Sequence, residues 1–332
     1  MFNTKKRSRG SIASVFVLLV SLGIALFLVL NRQHIIDQIS VWQYRPSNDI
    51  VAIATRSGLN ENGTFVFYAA HPSIEDASSF NQKCGRKESS TAILGCYNGQ
   101  DIYIYNVTDA RLDGIREVTA AHEMLHAAYA RLSDGDKNTI NKLLTSEYEK
   151  LKDNKDFAER MAFYDRTEPG ERDNELHSII GTEVGSIGNE LEAYYKRYFS
   201  DRNKVVVLHE KYAAVFGDLQ KRGESISSQL TALGTAIEQQ SSQYNADVAQ
   251  LNRDIVNFNN KANNGGFSSD GEFQAARNGL VARANRLEAT RQSINDSIQH
   301  YNELRDELAA VASESDALNK SIDSSLAPAP SL

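Results

Sequence analysis

Three patterns in this 332-residue chain predict an α+β domain with a small sheet, one apolar helix in front of it and a long antiparallel α-helical coiled-coil hairpin behind it. Charge-free apolar residues fill positions 11–30. Short β-branched and aromatic runs alternate with turn residues between 50 and 107, and a helical pattern follows. From about residue 203 to 322, apolar side chains recur in heptads.

The N-terminal run sets the topology. Residues 11–30 are dominated by Val, Leu, Ile, Ala and Phe, and twenty residues at about 1.5 Å each cover the roughly 30 Å hydrocarbon core of a bilayer. A cleaved signal peptide has a shorter apolar run and a small-x-small site, whereas Phe27-Leu28-Val29-Leu30 leads directly into Asn31-Arg32-Gln33. An uncleaved anchor is therefore expected, with a secreted, cleaved form as the alternative. Lys5, Lys6, Arg7 and Arg9 place the basic tail, residues 1–10, in the cytoplasm and everything beyond residue 31 outside it. The expectation is a single-pass cell-membrane protein with an extracytoplasmic C-terminal domain: a linker over 31–48, a compact domain over 49–202, the hairpin over 203–324 and a disordered tail over 325–332.

Strands are expected at Ile50-Val51-Ala52-Ile53-Ala54, Phe65-Val66-Phe67-Tyr68-Ala69 and Ile102-Tyr103-Ile104-Tyr105-Asn106-Val107, bounded by Gly, Asn and Pro. The third reads as an edge strand, and a central strand fits the same letters. Cys84 and Cys96 are the chain's two cysteines. In an oxidising compartment they predict a disulfide closing a short loop, with buried free thiols as the alternative.

The chemistry sits at His122-Glu123-Met124-Leu125-His126. Two histidines four apart project from the same helix face onto one metal ion, and the residue types point to zinc. Glu123 then lies beside the water that a three-ligand zinc site leaves in its fourth position, where a carboxylate serves as general base. Ile115, Val118, Leu125 and Tyr129 give the surrounding segment helical spacing. Thr108 or Asp109 reads as its cap, and Ser133-Asp134-Gly135-Asp136 as its end. A helix whose two histidines merely cap an apolar face is the plain alternative.

On this motif the segment from about 49 to 200 resembles the zincin metallopeptidases. The metzincin branch requires Gly and His further along the helix, where this chain has Tyr129 and Leu132. The gluzincin branch takes its third ligand from a Glu on a later helix, often in an Asn-Glu-x-x-Ser/Ala context, and Asn174-Glu175-Leu176-His177-Ser178 resembles that. The resemblance implies a zincin-like domain with Zn2+ held by His122, His126 and Glu175, Glu123 as the base, and a protein or peptide substrate. The acid often found four residues beyond the ligand is Ile179 here, so no orienting partner for a zinc-bound histidine is identified. Glu183 lies on the same apolar stripe and is the alternative ligand, with Glu171 and Glu190 behind it. His177 is the candidate oxyanion-stabilising residue, a catalytic role shared as alternatives by Tyr164, Tyr194 and Tyr195.

Further helices are expected from Thr139 through Leu151 and from Asn189 through Phe199, with Glu168-Pro169-Gly170 as a break. In the hairpin, Phe273, Leu280, Leu287, Ile294, Tyr301 and Leu308 repeat every seven residues, and Asn263 to Gly271 read as the turn. Polar seam positions such as Ser315 suggest a protein partner or self-association. Since the proposed ligands precede residue 200, the hairpin reads as separable from the site. A net charge of −7 gives no nucleic-acid footprint, and no glycine-rich phosphate loop occurs. The second functional reading is a non-catalytic cell-envelope scaffold that works through its coiled coil.

Overall fold

The computed structural model describes residues 10–85, 93–167 and 169–325. The expected cytoplasmic tail, the end of the C-terminal tail, Glu168 and the middle of the Cys84 to Cys96 loop lie outside them. Helix accounts for 78 % of the described residues, so the sheet is a small component of a helical protein. The helices are α1 (Gly10–Leu30), α2 (Arg32–Gln43), α3 (Asn48–Arg56), α4 (Glu61–Ala69), α5 (Ala77–Lys83) and α6 (Ile115–Ala130). There follow α7 (Asp134–Leu151), α8 (Lys155–Thr167), α9 (Arg172–Glu183), α10 (Asn189–Tyr195), α11 (Asn203–Asn263) and α12 (Asp270–Ile322). Strands β1 (Ser73–Glu75), β2 (Gly95–Tyr97) and β3 (Ile102–Tyr105) form one sheet in the order β1-β3-β2.

Two expected strands are helices. Residues 50–54 lie in α3 and residues 65–69 in α4. Each helix starts at a cap: Ser47 accepts a hydrogen bond from the backbone N–H of Ile50, and the Asn60 side chain accepts one from Gly63. Ile50, Ile53 and Ala54 are buried at helical spacing, and the β-branched content yields to that packing. Within the stretch expected as a linker, α2 packs on α4. Ser40 donates to the carbonyl of Ala69 at 2.8 Å and Tyr44 to that of Pro72 at 2.5 Å.

Residues 102–105 do form a strand, but β3 is central, parallel to β1 and antiparallel to β2. Among the described residues β2 pairs with no strand but β3, so the sheet edge beside the helices belongs to β2, inside the segment read as a disulfide loop. Cys96 of β2 is joined to Cys84 at the end of α5, with the two Cα atoms 5.9 Å apart. Helix α6 starts at Gly114, while Asp109 opens a short 3-10 turn instead, and Ser133 caps the following helix α7.

The core lies where α6 and α9 pack together, with α3, α4 and the sheet around α6. Gly181 makes the α6 to α9 approach possible, since a Cβ there would fall 2.4 Å from Leu125 Cδ1 and 2.7 Å from the Tyr195 ring. Tertiary contacts divide the chain into residues 1–215 with 318–332, and residues 216–317. The first unit thus includes the start of α11, whose Val205 and Val206 are fully buried, and the end of α12. There Leu318 is enclosed, and Ser324 Oγ and the Asn81 side chain lie 2.6 Å apart. The second unit is the remainder of the α11–α12 hairpin, turning at residues 264–269. Its seam buries Leu219, Ile226, Leu251, Ile294, Leu304 and Val311, and the rings of Phe258, Phe267 and Phe273 pack at tilted and edge-on angles at its tip.

Among the described residues no single helix is long and apolar enough to cross a membrane. Ser14–Leu30 and Arg32–Gln43, bent by 69° with respect to each other, pass that test only as a pair.

Candidate metal centre

Helix α6 sets His122 and His126 one turn apart, their Nε2 atoms 3.0 Å from each other. Helix α9 faces them with Glu175, whose Oε2 is 3.7 Å from His122 Nε2 and whose Oε1 is 3.5 Å from His126 Nε2. Ligands on a tetrahedral zinc with bonds of about 2.0–2.1 Å stand roughly 3.3 Å apart. The three observed separations bracket that value, so these residues fit one metal ion. All three donors lie within 4.8 Å of one another.

The hydrogen bonds around the histidines match that use. His126 Nδ1 donates to Asn174 Oδ1 at 2.9 Å, and Asn174 Nδ2 donates to Glu171 Oε2 at 3.0 Å. Because the Glu171 carboxylate requires the amide nitrogen on its side, the Asn174 oxygen faces His126. That proton on Nδ1 leaves the Nε2 lone pair for a metal. Ser178 Oγ stands 3.2 Å from His122 Nε2 and 3.4 Å from His126 Nε2. Asn174, Glu175 and Ser178 share one face of α9. Ile179, where an acid was sought, belongs to the apolar core.

Glu123 lies beneath β2. A Cβ at Gly95 would approach Glu123 Oε1 to 2.7 Å and Thr119 Cγ2 to 2.6 Å, so only glycine leaves the carboxylate its room. The bond from Tyr105 N–H to the carbonyl of Leu94 (2.8 Å) fixes the register. In an antiparallel ladder of that register, Gly95 and Tyr97 turn their N–H and C=O groups away from β3, along the free edge. The Cys84–Cys96 link holds that strand from between them. Arg131, which caps the end of α6, pairs through Nε and Nη2 with both oxygens of buried Asp37 at 2.9 and 2.8 Å and reaches Tyr97 Oη at 3.4 Å.

The other candidates are placed differently. Glu183, two turns along α9 from Glu175, is engaged by Arg160 and by His209 Nε2 at 3.4 Å. Glu190 is exposed on α10, and exposed Glu171 reaches the centre only through Asn174. His177 is fully buried, ringed by Tyr129, Tyr194 and Tyr195, with Nε2 2.8 Å from Tyr194 Oη. Burial pushes its pKa down to about 3. A ring so enclosed is a core histidine and meets no substrate oxyanion. Tyr195 donates to the carbonyl of His177 at 2.6 Å, and Tyr164 packs against the core.

Sequence reasoning did not identify Asn174 as the orienting partner, although it stands in the quoted motif next to Glu175. Ser178 carried the same signal. Gly95 and Tyr97 carried none, since their place against α6 is a long-range contact. No family model, curated protein or solved structure matches this chain.

Proposed function

We propose that the protein is a membrane-anchored, extracytoplasmic zinc peptidase of zincin, gluzincin-like type, with His122, His126 and Glu175 as the metal ligands. The observation that carries the reading is the convergence of these three donors beside Glu123 and a free strand edge. When bound, zinc supplies a Lewis acid that polarises a scissile carbonyl and lowers the pKa of water toward 7. Glu123 takes the proton of the attacking water and delivers it to the leaving amine. Gly95 and Tyr97 hold an extended substrate backbone by strand pairing along β2. Asn174 keeps His126 in the ligating tautomer, and Ser178 is placed as a polar neighbour of both rings. His177 drops out of the mechanism on its burial.

The anchor reading is supported by the apolar run 11–30 and by the outward exposure of its side chains, Val15 through Leu30. Lys5, Lys6, Arg7 and Arg9 support the orientation with the domain outside.

The test uses the purified full chain. One zinc per chain is expected, lost in His126→Ala and in Glu175→Ala. Glu123→Gln is expected to retain the zinc and to reduce cleavage of an unfolded protein substrate by about 10²–10⁴-fold. Turnover unchanged by Glu123→Gln overturns the peptidase reading, and a zinc-loaded wild type without hydrolysis favours the scaffold.

A further inference from the structure

Helix α2 has two unlike faces. One carries Asp37 and Ser40, which meet Arg131 and the last residue of α4, and Tyr44, at the helix end, reaches Pro72. The other presents Ile36 at 45 % exposure, Ile39 at 45 % and Trp42 at 67 %. Positions 36, 39 and 42 recur every three residues and form one stripe along the helix. Arg32 is exposed at its start, and the Arg45 guanidinium closes its end by donating to the carbonyls of Trp42 at 2.9 Å and Tyr44 at 3.0 Å. Large apolar side chains in a contiguous exposed stripe mark an interaction surface.

The occupant is indicated by what precedes the stripe. Helix α1 is apolar on all sides, and α2 follows it after Asn31 with a 69° change of direction. A chain whose first helix enters a bilayer near the normal therefore runs its second close to the bilayer plane. Amphipathic helices in that position bury their apolar face at the boundary between headgroups and acyl chains, where tryptophan is enriched and arginine reaches the phosphates.

We infer that the Ile36, Ile39 and Trp42 face of α2 docks on the lipid surface of the membrane that α1 enters. The inference rests on the anchoring reading and goes beyond it. Asp37, on the opposite face, is locked to Arg131 at the end of the helix that bears His122 and His126. Seating α2 on lipid therefore also fixes the orientation of the candidate metal centre relative to the bilayer.

Trp42 is the chain's single tryptophan, so its fluorescence reads this face directly. The full chain is reconstituted into phosphatidylcholine and phosphatidylglycerol vesicles that contain lipids brominated at either the upper or the lower part of the acyl chain. Helices at this boundary lie about 5–10 Å deep. The expected result is a blue-shifted Trp42 emission quenched more strongly by upper-chain than by lower-chain bromine. In an Ile36→Asp, Ile39→Asp variant, whose changed side chains are exposed, the quenching should be largely lost while the chain still sediments with vesicles through α1. Failure of the wild-type chain to sediment with vesicles after alkaline washing overturns the anchor and this inference together. Sedimentation with unshifted, unquenched emission overturns this inference alone. Blue-shifted emission untouched by bromine assigns the stripe to protein, such as a second copy of the chain, and also overturns it, as does quenching that the double substitution leaves unchanged.

Discussion

Helix α6 and the hairpin of residues 216–317 answer the same signal, apolar side chains every three or four positions, in opposite ways. Of the sixteen residues of α6, twelve are buried, among them Glu117, Glu123 and His126. The hairpin spans about a hundred residues and buries six large apolar side chains along one seam. Its charged groups stay at the surface in pairs such as Arg283 with Asp254 at 2.5 Å and Lys261 with Glu272 at 2.6 Å. A helix enclosed on several sides can keep ionisable groups inside, because its neighbours supply their partners. A two-helix arm has one enclosed face and no such neighbours, so it supplies surface rather than a site.

The strongest way to break this comparison is to cut the chain in the wrong place. Ending it after residue 202 removes Val205, Val206 and Leu318 from the first unit's core, so the product should lack cooperative unfolding and zinc. Replacing residues 216–317 by a short turn should preserve both. Thermal melting with metal analysis of the two products decides whether the boundary lies near 215 rather than at 202.

Single core truncations sharpen it. Leu125→Ala opens a cavity between α6 and α9 and should cost about 2–5 kcal/mol. Leu251→Ala, on the one-sided seam, should cost roughly 1–2 kcal/mol. Denaturant titrations yielding equal losses would show that the hairpin is as enclosed as α6.

The disulfide acts on one region only. Cys84→Ser with Cys96→Ser should lower the stability of the first unit by about 3 kcal/mol in the chain-entropy account. On the proposed peptidase reading hydrolysis should fall as well, since β2 loses its tie beside Glu123, while hydrogen exchange in the hairpin should stay unchanged.

Acid separates the regions by pH. Burial, with Arg160 nearby, lowers the pKa of His209 from 6.5 to about 4. The unfolded chain takes up this proton first, so this contribution to stability is complete above pH 6.5 and is lost as the pH falls toward 4. The part due to this group should amount to about 2 kcal/mol, and His209→Gln should reduce the slope and leave the part due to His177, which burial holds near 3. In the hairpin, Lys261 and the backbone N–H of Ser268 hold Glu272 down at about 2, from an ordinary 4.5. That contribution is present above pH 4.5 and goes only as the pH approaches 2. Unfolding curves of the first unit that stay flat between pH 6.5 and 4 would remove His209 as the sensor.

Much of the site was legible because it is local. The spacing of His122 and His126 needs only helix geometry, and Glu175 was marked by the Asn and Ser around it. The α3 and α4 segments were misread because Val, Ile and Phe at 50–54 and 65–69 suit a strand as well as a buried helix. The caps at Ser47 and Asn60, each followed by an acid in the first turn, were the overlooked local cue.

The sequence by itself determined the histidine pair, the glutamate between them, the paired cysteines, the apolar N-terminal run and the heptads of the long hairpin. Each depends on residues close together in the chain or on residue type alone. Only the tertiary structure decided that Glu175 rather than Glu183 meets the histidines, that Asn174 orients His126, that His177 is sealed in the core and that β2 borders Glu123. Those outcomes depend on how closely α9 and the sheet approach α6, through Gly181 and Gly95. Such an approach is a sum of long-range packing contacts that no local pattern encodes.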